Sequence, residues 1–144
     1  MIELYLVGIG MGNPSHLTGA AIEALQLADL ILIPNKGEAK ADLRSDICEK
    51  LLLPIPQITY FSLPSRDPKE PDYLKRVSDW HDSIASLWQN TILSNRPNGG
   101  KVELMIWGDP SLYDSSLRIA ERLQTKDHAL KIHVIPGVTA VQLL

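Results

Sequence analysis

The stretch IELYLVGIGMGNPSHLTGAAIEAL, residues 2–25, decides the fold. It opens with a β-prone run, Ile2 to Val7, which glycines stop. Apolar residues at helical spacing follow: Leu17, Ala21, Ala24, Leu25 and Ala28. A strand, a glycine-rich loop and a helix in this order predict the first unit of a β/α repeat, in which the strands are parallel and helices cover the sheet.

The same alternation continues along the chain. The predicted strands are Ile2 to Val7, Leu30 to Ile33, Gln57 to Phe61, Val102 to Trp107 and Lys131 to Ile135. After the first helix, the predicted helices are one with Leu43, Ile47 and Leu51 on its inner face, one from Tyr73 to Asn95, and one from Leu112 to Gln124. This pattern predicts a doubly wound α/β fold: an open, mainly parallel five-stranded sheet flanked by helices.

Composition narrows the class of protein. The 144 residues, 44% of them hydrophobic, favour one domain with one core. The net charge of -3 lacks the basic excess that nucleic acid or an anionic membrane surface attracts. The single cysteine, Cys48, excludes an intrachain disulfide framework and is predicted to be a buried structural thiol. No apolar run approaches the roughly 20 residues that span a bilayer, so a cytoplasmic protein without nucleic-acid or membrane partners is expected.

Three loops follow predicted strands, where open parallel sheets bind ligands. The first, Val7 to Thr18, has glycines at 8, 10 and 12, but Asn13 stands where the dinucleotide spacing G-x-G-x-x-G needs its third glycine. A nicotinamide or flavin cofactor is therefore disfavoured. Asn13 or Ser15 is predicted to cap the following helix.

The second loop, WGDPSLY (residues 107–113), allows two interpretations. Asp109 followed by Pro110 has the chemistry of a helix start, while Trp107 and Gly108 beside them favour the wall of a binding site. The third loop, IPGVTA (residues 135–140), again follows a strand and supplies Thr139 as a cap or a ligand hydroxyl.

Taken in order, VGIGMGNPSHLTGAAIEAL (7–25), GDPSLYDSS (108–116) and IPGVTAVQ (135–142) resemble the tetrapyrrole methylase family, whose members transfer methyl groups from S-adenosylmethionine to uroporphyrinogen, precorrins and related substrates. The resemblance implies S-adenosylmethionine as cofactor, S-adenosylhomocysteine as its product, no metal and a homodimer of two-domain chains. This chain would be the N-terminal domain, with the C-terminal domain absent from it. Carried over by motif, the cofactor contacts are Met11, Trp107, Gly108, Asp109, Leu112, Thr139 and Ala140. The family commonly has proline where Met11 stands.

Three further stretches, NKGEAKADLRSDIC (35–48), VSDWHDS (77–83) and WGDPSLYDSSLRI (107–119), resemble a branch of the family in aerobic cobalamin synthesis. There, methylation of precorrin-5 at carbon 1 is coupled to release of acetate. Attack of water on an acetyl carbonyl favours a general base, for which His81 is the candidate catalytic residue. The acetate and propionate groups of a precorrin need cationic partners, and the candidate substrate-binding residues are Lys36, Lys40, Arg44 and Arg66. The histidines show no metal-ligand spacing.

Two alternatives remain open at this point. One is another tetrapyrrole methylase, acting on uroporphyrinogen or a different precorrin. The other is a non-enzymatic α/β module that binds a nucleotide-like ligand. Since a cleft between two domains needs both, the isolated chain is expected to be catalytically inactive.

Overall fold

The computed structural model describes residues 1–35, 38–63, 69, 71–111 and 114–139, with only the backbone described at 38–42 and 114. Within these residues the strands are β1 Ile2–Gly8, β2 Leu30–Pro34, β3 Ile58–Phe61, β4 Gly100–Ile106 and β5 Lys131–Ile135. The helices are α1 Gly19–Gln26, α2 Glu38–Leu51, α3 Tyr73–Asn95 and α4 Asp114–Lys126, with a short 3₁₀ helix at Pro14–His16.

The five strands form one sheet in the order β3-β2-β4-β1-β5, and every adjacent pair is parallel. Helices α1 and α2 pack on one face, while α3 and α4 pack on the other. The predicted doubly wound α/β fold is therefore confirmed.

The core lies in two layers because side chains alternate along each strand. Leu4, Leu32 and Leu104 point toward α3 and α4 and pack on Ile84 and Trp88. Other residues of the same strands point the other way and pack under α1 and α2: Val7, Ile31 and Met105. Apart from Glu103 in β4, the buried side chains of β2 and β4 are apolar on both faces, as expected for a parallel sheet covered on both sides.

The predicted bounds of α3 and β5 are confirmed residue for residue. Strands β1, β2 and β3 differ from the prediction by one residue at one end, and β4 begins two residues earlier and ends one residue earlier. Helix α4 is a larger departure because it begins at Asp114 and continues to Lys126. The prediction that Asn13 or Ser15 caps α1 was wrong. Thr18 caps α1 and accepts from the Ala21 amide at 3.0 Å, while Asn13 caps the intervening 3₁₀ helix.

The predicted inner face of α2 is confirmed for Ile47, which is buried, and for Leu51, which packs partly buried against the core, but it was wrong for Leu43. Leu43 is 43% exposed, and Arg44 and Cys48 take the other inward positions. The prediction assumed that only apolar residues face inward. Arg44 violates this because its guanidinium has a backbone acceptor inside the fold.

Candidate functional site

The carboxyl end of β4 is where this sheet can open. The chain leaves β1 and β2, the neighbours of β4, for helices on one face, but it leaves β4 for α4 on the opposite face. Connections that diverge to opposite faces leave a crevice beyond the strand ends, and ligands of open α/β sheets bind there. The loop that begins with Trp107 therefore lies at the predicted binding edge.

The three predicted loops meet at this edge. Gly10 and Gly108 form an isolated antiparallel bridge, with the Gly108 amide donating to the Gly10 carbonyl at 2.7 Å and the reverse bond at 3.3 Å. The third loop closes on the same point, because a Cβ atom on Gly8 would lie 2.6 Å from the Gly137 nitrogen and 2.7 Å from the Gly108 oxygen. Bare backbone from three strand ends is thus packed into one junction.

Glycine is required at this junction for conformation as well as space. Gly10 has φ of +62° and Gly108 has φ of +66°, a left-handed conformation that side chains disfavour. The three loops therefore pack backbone against backbone, and Gly8, Gly10 and Gly108 are all buried in the junction.

The predicted cofactor contacts that the structure describes surround this junction. Met11 is 51% exposed at the tip of the first loop. The indole of Trp107 lies under that loop, since a Cβ atom on Gly12 would be 2.7 Å from its Cζ3 atom. Thr139 is half-buried after β5. Leu112 and Ala140 lie outside the described residues.

Asp109 does not cap α4, contrary to one of the two sequence interpretations. Its Oδ1 accepts from the amide and hydroxyl of Ser111 at 3.0 and 2.9 Å, which closes a local turn. Among the described residues nothing donates to Oδ2. The half-buried carboxylate therefore keeps an acceptor for a ligand hydroxyl or ammonium group.

A cavity of about 290 Å³ lies beside the junction, between the ends of β2, β3 and β4, the middle of α3 and the first turns of α4. Its wall is mainly apolar and includes all three tryptophans of the chain, Trp80, Trp88 and Trp107. Aromatic and aliphatic walls with a few polar groups are typical of small-molecule sites.

Arg44 is the charged residue of this wall and is only 3% exposed. Its Nε atom donates to the Met105 carbonyl at 3.0 Å, and its guanidinium carbon lies 4.9 Å from the centre of the Trp107 ring. Burial lowers its pKa to about 10, which leaves it protonated at neutral pH. Of the four candidate substrate-binding residues, Arg44 is thus placed in a cavity.

The other three cannot be placed as side chains. Lys36 and Arg66 lie outside the described residues, and Lys40 belongs to α2 but only its backbone is described.

His81 lies between α3 and α4 and is 4% exposed. Its Nδ1 atom is 3.4 Å from the Arg122 Nη1 atom, and Arg122 also pairs with Asp82 at 2.9 Å. The cavity wall includes its neighbour Trp80 but not His81 itself. A role for His81 as a base stays a prediction.

Glu103, in the middle of β4, was not noticed from the sequence. It is fully buried, and its two carboxyl oxygens accept no hydrogen bond from the described residues. Burial raises its pKa to about 8; nearby Lys101 opposes the shift and Asp29 adds to it. One signal was available, because an acid within VELMIW interrupts an otherwise apolar run.

Cys48 is buried, as predicted, and its thiol is 3.9 Å from the Met105 sulfur. Burial raises its pKa to about 11, with a smaller effect from Glu49, so the thiol is protonated at neutral pH.

The described ranges contain no group of three or more His, Cys, Asp or Glu side chains placed to hold a metal ion. None of the helices in these ranges has the length and apolarity needed to cross a bilayer.

Comparison with known proteins gives consistent matches. A family model described as Tetrapyrrole (Corrin/Porphyrin) Methylases matches residues 3–144. A deacetylating precorrin-6A synthase of Sinorhizobium sp is 38% identical over 149 aligned residues, which cover 100% of this chain and 57% of that protein. The structure of a cobalamin synthesis related protein, CobF, from Corynebacterium diphtheriae superposes with a TM-score of 0.76 at 34% identity, covering 99% of this chain and 56% of that one.

A uroporphyrin-III C-methyl transferase from Thermus thermophilus, in complex with S-adenyl homocysteine, shares the fold at a TM-score of 0.57 and 22% identity. The match covers 96% of this chain and 49% of that protein. The chain therefore spans about half the length of the relatives it matches.

Proposed function

The chain belongs to the tetrapyrrole methylase family, and from this we propose that it is the cofactor-binding N-terminal domain of an S-adenosylmethionine-dependent C-methyltransferase of cobalamin biosynthesis. The specific assignment is a deacetylating precorrin-6A synthase, which methylates precorrin-5 at carbon 1 and releases acetate. Similarity to the Sinorhizobium protein supports this choice. In this proposal the enzyme is cytoplasmic and homodimeric, and a second α/β domain completes the cleft.

The observation that carries the proposal is the junction of three glycine-rich loops beyond β4. Gly8, Gly108 and Gly137 let the three loops pack backbone against backbone, which holds the residues beside them at one end of the sheet. Asp109 adds one acceptor, and the Trp107 indole adds an apolar surface beside it. These groups suit a cofactor with a purine, a ribose and an ammonium group. Met11, Leu112, Thr139 and Ala140 complete the proposed set of contacts.

The chemistry needs little from the protein beyond placement. When bound, S-adenosylmethionine supplies an electrophilic methyl group, and an electron-rich tetrapyrrole carbon is the nucleophile. Orientation of two bound partners can account for much of the rate enhancement of such a displacement. Backbone carbonyls at the strand ends can accept weak hydrogen bonds from polarised C–H groups. The junction therefore binds and orients, and excludes water where its backbone groups are paired.

Calorimetric titration of the chain with S-adenosylhomocysteine tests the cofactor assignment. Asp109→Ala is expected to weaken binding at least tenfold. Asp127→Ala is the matched control, because the Asp127 carboxylate also closes a local turn by accepting from the Ala129 amide at 3.1 Å. Asp127 precedes β5 and so lies at the amino ends of the strands, away from the junction. Equal affinity in both variants, or no saturable binding by the parent chain, would overturn the proposal.

The reaction is tested on the protein that carries both domains, supplied with precorrin-5 and S-adenosylmethionine. A methylated product together with acetate is expected, and a methylated product without acetate contradicts the deacetylating assignment. If His81 is the base, His81→Gln loses acetate release and keeps methylation. Loss of both activities together, or of neither, would exclude that role.

A further inference from the structure

The cavity beside the junction has a mainly apolar wall that carries one charged side chain among its described residues, Arg44. No described carboxylate pairs with this guanidinium. Three donor atoms of wall residues, Arg44 Nη1, Trp88 Nε1 and Trp107 Nε1, are buried behind the cavity surface and find no acceptor in the described part of the chain. The charge that a ligand can meet in the cavity is therefore the unneutralised charge of Arg44, which favours a ligand that brings an anion.

The size and the lining narrow the ligand further. A volume of about 290 Å³ lies at the lower limit of small-molecule sites, which run from about 300 to 1,000 Å³. It is too small for a tetrapyrrole ring system and large enough for a short side arm. The apolar side chains of Phe61, Ile84 and Leu104 line the cavity. The part of the ligand next to its charged group is therefore aliphatic.

Contacts with the fold hold the Arg44 guanidinium in one place. Strands β2 and β4 are paired from Leu30–Val102 to Leu32–Leu104. Beyond the last pair, the carbonyl of Met105 in β4 accepts a hydrogen bond from Arg44. The guanidinium is further held against the Trp107 ring. A cation fixed in this way is organised before a ligand arrives, which lowers the entropic cost of binding.

We propose that this cavity is a carboxylate subsite, which takes one short aliphatic carboxylate of acetate or propionate size and pairs its charge with Arg44. The inference deepens the proposed function, because such groups occur as side arms of a precorrin and as the acetate that leaves. Both sources share the same chemistry, and they are separated below by experiment.

Intrinsic fluorescence reports directly on the cavity, because every tryptophan of the chain lines it. Titration of the chain with sodium propionate, against sodium chloride of equal ionic strength, is expected to give a saturable change in emission. Propionamide has the same shape without the charge and is expected to give none. Equal responses to propionate and propionamide, or no response to propionate, would overturn the proposal.

Two variants test the residues, because loss of Arg44 also removes a bond to Met105. Arg44→Met is expected to weaken propionate binding at least tenfold. Ser116→Leu fills part of the cavity from α4 while Arg44 itself is unchanged, and it is expected to do the same. Arg118→Met, an exposed arginine on the same helix, is the control. Undiminished binding in both Arg44→Met and Ser116→Leu would refute the subsite.

Competition between propionate and a tetrapyrrole shows whether the bound carboxylate is a side arm or a free acid. Uroporphyrin, which carries acetate and propionate arms, is offered to the chain in equilibrium dialysis, with its methyl ester as control. If propionate displaces uroporphyrin, a side arm occupies the cavity; if both bind together, the cavity takes the free acid. Titration with S-adenosylhomocysteine separates the two proposals, since a chain that binds propionate but not this cofactor product supports the subsite and contradicts the proposed function.

Discussion

Glu103 makes the stability of the fold depend on pH. Burial raises the pKa of its carboxyl group from 4.5 to about 8. Between these values the folded chain holds a proton that the unfolded chain releases, so the free energy of unfolding falls as pH rises, by roughly 1.4 kcal/mol per pH unit at most. The contribution is fully present below the lower value and lost above the higher one.

Glu103→Gln removes this titration while keeping a side chain of similar size. Urea denaturation at pH 5 and at pH 8 is expected to show a gain in stability that is larger at pH 8. Glu49→Gln changes an exposed carboxyl group and serves as the control. A Glu103→Gln effect of the same size at both pH values would contradict the raised pKa.

Gly137 is predicted to be intolerant of any side chain. A Cβ atom there would overlap the Gly108 carbonyl oxygen and lie 2.8 Å from the Gly8 carbonyl carbon, both of which are backbone atoms that cannot rotate away. Gly137→Ala is therefore expected to lower the denaturation midpoint and to weaken binding of S-adenosylhomocysteine. Gly19→Ala is the control, because a Cβ atom on Gly19 meets nothing within 4 Å. Equal midpoints for the two variants would show that the junction is not tightly packed.

The sequence predicted which loops follow the strand ends better than it predicted the surroundings of the charged residues. Glycine and proline punctuation places the loops at strand ends, which is a local signal. The burial of Arg44 depends instead on a carbonyl in β4 that is distant in the chain, and no local pattern encodes that contact. Glu103 is similar, since its environment is formed by neighbouring strands and a helix layer from elsewhere in the chain.

At the scale of elements, helix α1 depends on Thr18. Its hydroxyl accepts from the Ala21 amide at 3.0 Å, and α1 has eight residues, few of which can compensate for a lost cap. Thr18→Ala is expected to lower the free energy of unfolding by about 1 kcal/mol, measured by urea denaturation. Thr18→Ser retains the oxygen and should recover most of the loss. Equal destabilisation by Ala and Ser would attribute the effect to the methyl group instead of the cap.

The start of α4 shows why element boundaries were less predictable than elements. Asp109 and Pro110 have the chemistry of a helix start, but the Asp109 carboxylate is satisfied by Ser111 in a turn, and α4 begins only at Asp114. The same residue types serve both structures, since each offers an oxygen to nearby amides. The bounds of α3 were predictable because its apolar periodicity is long and Asp72 caps it.

At the scale of the molecule, alternation of strands and helices was enough to predict the fold class. This alternation does not predict the order of the strands in the sheet, because the spacing of apolar residues reports on each helix or strand separately. The central place of β4, between β1 and β2, is therefore a result of the structure. It determines the site, since the crevice opens where the helix after β4 leaves to the face opposite its neighbours.

The same central strand predicts that both faces unfold together. Successive residues of β4 belong to different layers, Leu104 under α3 and α4 and Met105 under α1 and α2, so neither layer can open without exposing the other. Leu25→Ala in α1 and Leu123→Ala in α4 are each expected to cost about 2–5 kcal/mol. Tryptophan emission reports on the cavity alone, and far-ultraviolet circular dichroism reports on every helix. Leu25 does not line the cavity, yet Leu25→Ala should shift the urea midpoints of both signals equally. A shift in circular dichroism with an unchanged emission midpoint would mean that the layers are separate cooperative units.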